Sequence, residues 1–257
     1  MKKDKNYIYR NVKGVTVNGK TQSLFLDIEV IKNALSITNR KIDILNENAP
    51  ELFEILGMRN LSAFVGEVFV RSLVKASNGV LMKNPHQDGY PDLLIMTDEG
   101  AALWEALKAN NQAKSPFSGF KTGGIEVKAT CGSVPDPKFF VKQGIRKPDI
   151  GDERIAFTRS YDWKAHHRET INLIGLYWDF IDRKPIICAV FFGDNLNEND
   201  WGKIVQPKEG GGRTTSVSIM TREGIFKMYQ NWLAVIDDKR YVDFLDKFNR
   251  SSLIADF

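Results

Sequence analysis

The sequence predicts an α/β protein in which a mixed central β-sheet is flanked by helices. Three observations predict it. A helical apolar stripe runs over 63–75, three short apolar extended segments follow at 80–83, 92–96 and 125–130, and two long apolar arms lie at 173–181 and 186–192. With a helix expected over 163–171, the order is helix, three strands, helix, two strands, as in an α/β sandwich around one sheet. At 257 residues the chain suits one domain, with a core over 60–192 and elaborations over 1–59 and 193–257.

Residues 23–30 fit a strand or a short helix equally well, and 50–56 reads as a short helix stopped near Gly57. Asn60-Leu61-Ser62 forms a plausible N-cap region for the helix over 63–75, whose stripe combines Leu61, Phe64, Val68, Phe69 and Leu73. Asn78-Gly79 stops it, since glycine enters the left-handed region without a Cβ penalty. The turn residues 84–91 separate the first two strands, and the Leu-Leu-Ile-Met run after Asp92 suits a buried strand. A helical pattern over 99–110 is an insertion before the strand at 125–130. The Pro, Gly and Lys content of 132–152 predicts surface loops. Residues 182–185 turn the hairpin, 215–220 alternates like a strand, and Thr221 caps a helix running through Trp232 to about residue 236.

Composition excludes several classes. With 42% hydrophobic and 26% charged residues the chain is neither disordered nor collagen-like. The longest apolar run, 186–192, is far short of a membrane span, and no apolar stretch follows the basic start as a secretory signal requires. Cys131 and Cys188 make no disulfide framework and no CxxC pair, so a reducing, cytoplasmic setting is expected. The net charge is +4, and the excess is local: 138–168 holds eight basic residues against four acidic ones.

The chemistry concentrates on Ile125-Glu126-Val127-Lys128. Side chains alternate across a strand, so Glu126 and Lys128 share one face while Ile125 and Val127 enter the core. Asp92 opens the neighbouring strand directly after Pro91 and is expected beside the same cleft. Phosphodiester hydrolysis calls for these residue types, because an anionic phosphate repels hydroxide unless its charge is neutralised and a water is oriented in line. Mg²⁺ prefers oxygen ligands, which Asp92, Glu126 and the Val127 carbonyl offer. Lys128 can orient the water or meet the charge that develops on the phosphate. The bland alternative is that Asp92 caps a turn and Glu126–Lys128 is a surface ion pair. Apolar strands around both halves, turn residues beside them and a preceding helix with Glu67 favour the site.

Pro91-Asp92 with Glu126-Val127-Lys128 resembles the PD-(D/E)xK nuclease superfamily, and most of all its type II restriction endonucleases. The likeness spans 60–192, although 34 positions separate Asp92 from Glu126, where a short hairpin is commoner in that family. It implies a restriction-endonuclease-like core in which Asp92 and Glu126 bind Mg²⁺ and Lys128 assists the attacking water. Glu67 matches an acidic residue on the helix before the first strand and is a further metal or water ligand in that reading. The implied activity is cleavage of double-stranded DNA to 5′-phosphate and 3′-hydroxyl ends at a specific site. A homodimer suits a palindromic target, and the functional partner is a DNA methyltransferase acting on that site.

Lys138, Lys142, Gln143, Arg146, Lys147, Arg154 and Arg159 follow the Glu126–Lys128 strand and are expected to meet DNA, with Arg213 a further candidate in the glycine-rich loop over 209–215. That loop lacks P-loop spacing. Asp88 suits a turn before Gly89, and His86, His166 and His167 lack a metal-ligand arrangement. A structure-specific repair nuclease and a non-catalytic DNA-binding protein stay open as alternatives.

Overall fold

A computed structural model describes residues 6–86, 89–111, 113–165, 168–206 and 216–249. Asp88, His166, His167, Arg213 and the loop over 209–215 lie outside the described residues.

The main sheet has seven strands. In chain order these are β1 (Tyr7–Tyr9), β4 (Leu81–Lys83), β5 (Leu93–Ile95), β6 (Gly124–Thr130), β8 (Leu173–Ile181), β9 (Lys184–Gly193) and β11 (Trp232–Ile236). Across the sheet they run β1-β11-β9-β8-β6-β5-β4. Only the β6–β8 pair is parallel, with Glu126 opposite Leu173 and Lys128 opposite Gly175. The remaining neighbours are antiparallel. Two small ribbons stand apart: β2 (Gly14–Val17) with β3 (Leu24–Asp27), and β7 (Lys164–Ala165) with β10 (Ser218–Ile219).

Helices cover both faces, so the molecule is a mixed α/β fold around a large mixed sheet. Alternate residues of β8 divide between the two interiors, as the two-residue period of a strand requires. Ile174, Leu176 and Trp178 meet α1 (Ile28–Asn48) and α3 (Gly57–Ala76) on one side. Leu173 and Tyr177 meet α6 (Arg222–Gln230) and α7 (Lys239–Asn249) on the other, amid Tyr161, Trp163 and Phe191. The insertion helix α4 (Asp98–Leu107) begins at Thr97, whose hydroxyl accepts the Gly100 N–H at 3.2 Å. Its Leu103 and Trp104 close a smaller cluster with Leu94, Phe117 and Phe120.

Several expectations change. Residues 23–30 are strand and helix in turn: β3 runs straight into α1, with Asp27 capping by accepting the Glu29 N–H at 2.8 Å. The next helix was expected from 63 and starts at Gly57, six residues earlier, so Asn60 and Ser62 are inside it and do not cap it. The short helix expected over 50–56 is α2 (Leu52–Ile55), directly before it. The stretch 132–152 contains α5 (Pro137–Gln143), capped by Asp136 and ended by the left-handed Gly144. The helix expected over 163–171 is corrected: Lys164–Ala165 is a strand held by hydrogen-bonded pairing to β10, and the described remainder is turn and irregular chain. The helix from Thr221 ends at Gln230, and Trp232–Ile236 is a buried strand instead of its last turn. The hairpin turn is tighter than four residues, because Asp182 and Arg183 both take positive φ and β9 resumes at Lys184. Through β1 and β11, both terminal segments contribute strands to the main sheet.

Among the described residues no helix is long and apolar enough to cross a membrane.

Candidate active site

β5 pairs with β6 through only two positions, Leu93 opposite Ile125 and Leu94 opposite Gly124. One residue before that ladder, the β5 chain departs, and the edge of β6 beyond Ile125 is left without a neighbouring strand. Asp92 stands at this departure. Its Oδ2 accepts the Val127 main-chain N–H at 2.8 Å, so a side chain continues the pairing that the backbone has dropped. Its own N–H points at Glu126 Oε2, 3.3 Å away.

The surrounding chain fixes both acids. The buried Asn84 donates to the carbonyls of Pro91 at 3.0 Å and Phe117 at 2.8 Å, and its main-chain N–H donates to the Asp92 carbonyl at 2.9 Å. Asn172, also buried, donates to the Gly124 carbonyl at 2.9 Å and to the Asn18 carbonyl at 2.7 Å. Its own carbonyl accepts the Glu126 N–H at 3.0 Å.

Lys128 completes the group. Its ammonium pairs with Glu126 Oε1 and lies 3.7 Å from Asp92 Oδ2. The sequence therefore identified three side chains that the fold brings together. They differ in exposure: Glu126 is 5% exposed, whereas Asp92 and Lys128 keep about a third or less of their side chains in contact with solvent. Burial pushes the Glu126 carboxyl up to about 7, the nearby Lys128 ammonium pulls it down and Asp92 adds to the rise. For Lys128, burial works against the charge, and the carboxylates of Glu126 and then Asp92 outweigh it, so its pKa is raised. Two acids against one amine leave an excess of negative charge, which a cation would offset.

An open cleft of about 850 Å³ reaches this group. Its floor is the unpaired edge of β6, Val127 to Thr130. One wall is α3, with Arg59, Ser62 and Glu67, and the other carries Ser133 and Asp162 to Lys164. The second wall sits close because β8 has a glycine opposite Lys128: a Cβ on Gly175 would approach the Trp163 indole to 2.6 Å.

The sequence matches no known family model, no curated protein and no solved structure. What the site can do therefore rests on its own chemistry.

The donor set suits a hard, oxygen-seeking divalent cation. Asp92 and Glu126 converge, and the Val127 carbonyl leaves the strand on the same side as the Val127 N–H, toward Asp92. Among the described residues there is no cluster of three or more His, Cys, Asp and Glu suited to a metal, so such an ion would keep several waters in its shell, as Mg²⁺ does.

The other expected residues are distributed unevenly. Glu67 lines the cleft from α3, yet its carboxylate pairs with Lys83 on β4. Lys138, Lys142 and Gln143 are exposed on α5, and Lys147 is exposed beyond it, all outside the residues lining the cleft. Arg146 is exposed and spans Asp149 and Asp152 at 2.8 and 2.6 Å. Arg159 is exposed, with its guanidinium over the Phe139 ring. Arg154 differs. It is 6% exposed and donates to the Pro148 and Asp149 carbonyls, a structural role inside the protein that removes it as a surface contact. The sequence reading missed Arg59, Ser62, Ser133, Asp162 and Lys164 as cleft residues. The helix expected over 163–171 hid Lys164, and no spacing rule brings Arg59 to the cleft.

Proposed function

We propose that the protein is a Mg²⁺-dependent nuclease that hydrolyses phosphodiester bonds of double-stranded DNA. One observation carries the reading: the Lys128 ammonium is held against Asp92 and Glu126 at the open edge of β6, on the floor of an open cleft. Support also comes from the resemblance of Pro91-Asp92 and Glu126-Val127-Lys128 to the PD-(D/E)xK pattern, and from the order of helix α3, antiparallel strands β4, β5 and β6, and parallel strand β8.

Asp92, Glu126 and the Val127 carbonyl would hold Mg²⁺, which would polarise the scissile phosphate and acidify a bound water. Lys128 stays protonated because both carboxylates favour its charge. That makes it an electrostatic and orienting group, donating to the attacking water and to the phosphoryl oxygens, and not a proton acceptor. Water oxygen bonds to phosphorus and gives up one proton to bulk water, the bond to the 3′-oxygen breaks, and that oxygen takes a proton from bulk water, leaving 5′-phosphate and 3′-hydroxyl ends. The finer reading is a type II restriction enzyme that works as a homodimer on a palindromic site, with a DNA methyltransferase protecting the same site.

The test incubates purified protein with plasmid and phage DNA, with Mg²⁺ or with chelator, and maps the ends. A defined fragment ladder with Mg²⁺ supports site-specific cutting, and a smear supports cleavage without sequence choice. Absence of cutting in every divalent metal, alongside salt-sensitive DNA binding, would leave a DNA-binding protein without catalysis. Asp92→Ala, Glu126→Ala and Lys128→Ala each lower cleavage by about 100-fold or more in the proposed mechanism.

A further inference from the structure

The cleft flanks the β6 edge from both faces of the sheet. Arg59 reaches it from the first turn of α3, over one face, and Lys164 from the β7–β10 ribbon, over the other. Both are exposed, and among the described residues neither forms an ion pair. Other exposed cations, such as Lys13, Arg40 and Arg71, also form no ion pair among the described residues; Arg59 and Lys164 differ from them in lining the cleft, one on each wall. Glu67, the acid nearest Arg59 along the α3 wall, is engaged by Lys83. Asp162 stands beside Lys164, so that wall is not uniformly basic and each wall has to be tested separately.

We propose that Arg59 and Lys164 clamp the backbone phosphates on either side of the phosphate that meets Asp92, Glu126 and Lys128. The proposal rests on the nuclease reading for the identity of the occupant. A nucleic-acid strand laid along the β6 edge presents successive phosphates to both walls, and one cation per wall fixes its register without reading its bases. The backbone supports this use. The Trp163 carbonyl accepts the Met220 N–H at 3.0 Å, which ties the Lys164 segment to β10, while Arg59 rides on a twenty-residue helix packed against the sheet.

The experiment measures binding of a fluorescein-labelled 30-base-pair DNA by anisotropy, with Ca²⁺ in place of Mg²⁺ and again with chelator, across a salt series. Arg59→Ala and Lys164→Ala are each expected to weaken binding about tenfold and to lower the salt slope by about one, and the double variant by about two. Arg59→Lys restores most of the slope, and Lys239→Ala on α7 leaves it unchanged. Circular dichroism verifies that each variant is folded. Wild-type slope and affinity in both folded single variants overturn the clamp, as does failure of the wild-type protein to bind this sequence as either duplex or single strand. The nuclease reading fails on a different result, absence of Mg²⁺-dependent cutting by the wild-type protein. If only single-stranded DNA of the same sequence shows the slope changes, the clamp stands and the duplex is replaced as its substrate.

Discussion

Asp92 Oδ2 accepts the main-chain N–H of Val127 at 2.8 Å, so the first acid of the site also finishes the β5–β6 ladder. The two tasks separate by substitution. Asp92→Asn retains an oxygen to accept that N–H, whereas Asp92→Ala leaves the donor unpaired. Asp92→Ala is therefore expected to lose about 1 kcal/mol of stability and Asp92→Asn much less, while both lose cleavage. Urea unfolding and a plasmid-nicking assay check the two halves, and equal stability of the two variants would remove the ladder role.

Asn172 acts on Glu126 from the other side of β6. It is 3% exposed, donates to the Gly124 and Asn18 carbonyls, and accepts the Asn18 N–H at 2.9 Å. Truncation to alanine strands these buried groups and is expected to cost about 3 kcal/mol. Cleavage should slow through kcat with little change in KM, since Asn172 positions the Glu126 strand and does not line the cleft. A change confined to KM would contradict this.

How much of this was legible in the sequence depends on whether local pattern or tertiary pairing made each element. The apolar arms of the β8–β9 hairpin and the Glu126–Lys128 alternation are local signals, and the strands formed where they predict. Asp92, Glu126 and Lys128 met because a strand end and a strand face are readable from Pro91 and a period of two. α1 carried weaker signals, because Thr38 and Asn39 occupy its buried face among Ile31, Leu35 and Ile42 and blur the apolar stripe. Trp232 to Ile236 reads as helix continuation in isolation, and antiparallel pairing with β9 and β1 makes it a strand. Lys164 followed the same logic, since β10 turns an apparent helix into a ribbon. Arg154 was misjudged because its charge suggests exposure, whereas it is buried and one guanidinium nitrogen donates to the Pro148 and Asp149 carbonyls.

Asp179 anchors the far end of β8, away from the cleft. It is completely buried and accepts from the Arg154 N–H at 2.9 Å, the Phe180 N–H at 2.8 Å and the hydroxyls of Tyr177 and Tyr241 at 3.2 and 3.1 Å. The bond from Tyr241 ties α7 to the sheet. Asp179→Ala strands several donors together and is expected to cost about 3 kcal/mol, against about 1 kcal/mol for Tyr241→Phe, which removes a single hydroxyl placed between Asp179 and Glu153. Urea midpoints measure both. Equal costs would show that α7 docking, and not the carboxylate, carries the stability.

The pH response of the site follows from Glu126. Burial raises its folded pKa to about 7, above the ordinary value of 4.5, so its protonated form is favoured in the folded protein. Its stabilising contribution is therefore full below about pH 4.5 and is lost as pH rises through about 7. Glu126→Gln, which cannot ionise, should melt higher relative to wild type at pH 8 than at pH 5, as read by calorimetry in chelator. Cleavage runs the other way. A divalent cation has to displace the proton that burial favours, so its affinity and the cutting rate climb as pH rises toward 7 and level above it. Metal titrations at pH 6, 7 and 8 measure this directly, and an affinity that does not change between pH 6 and 8 would take Glu126 out of the metal site.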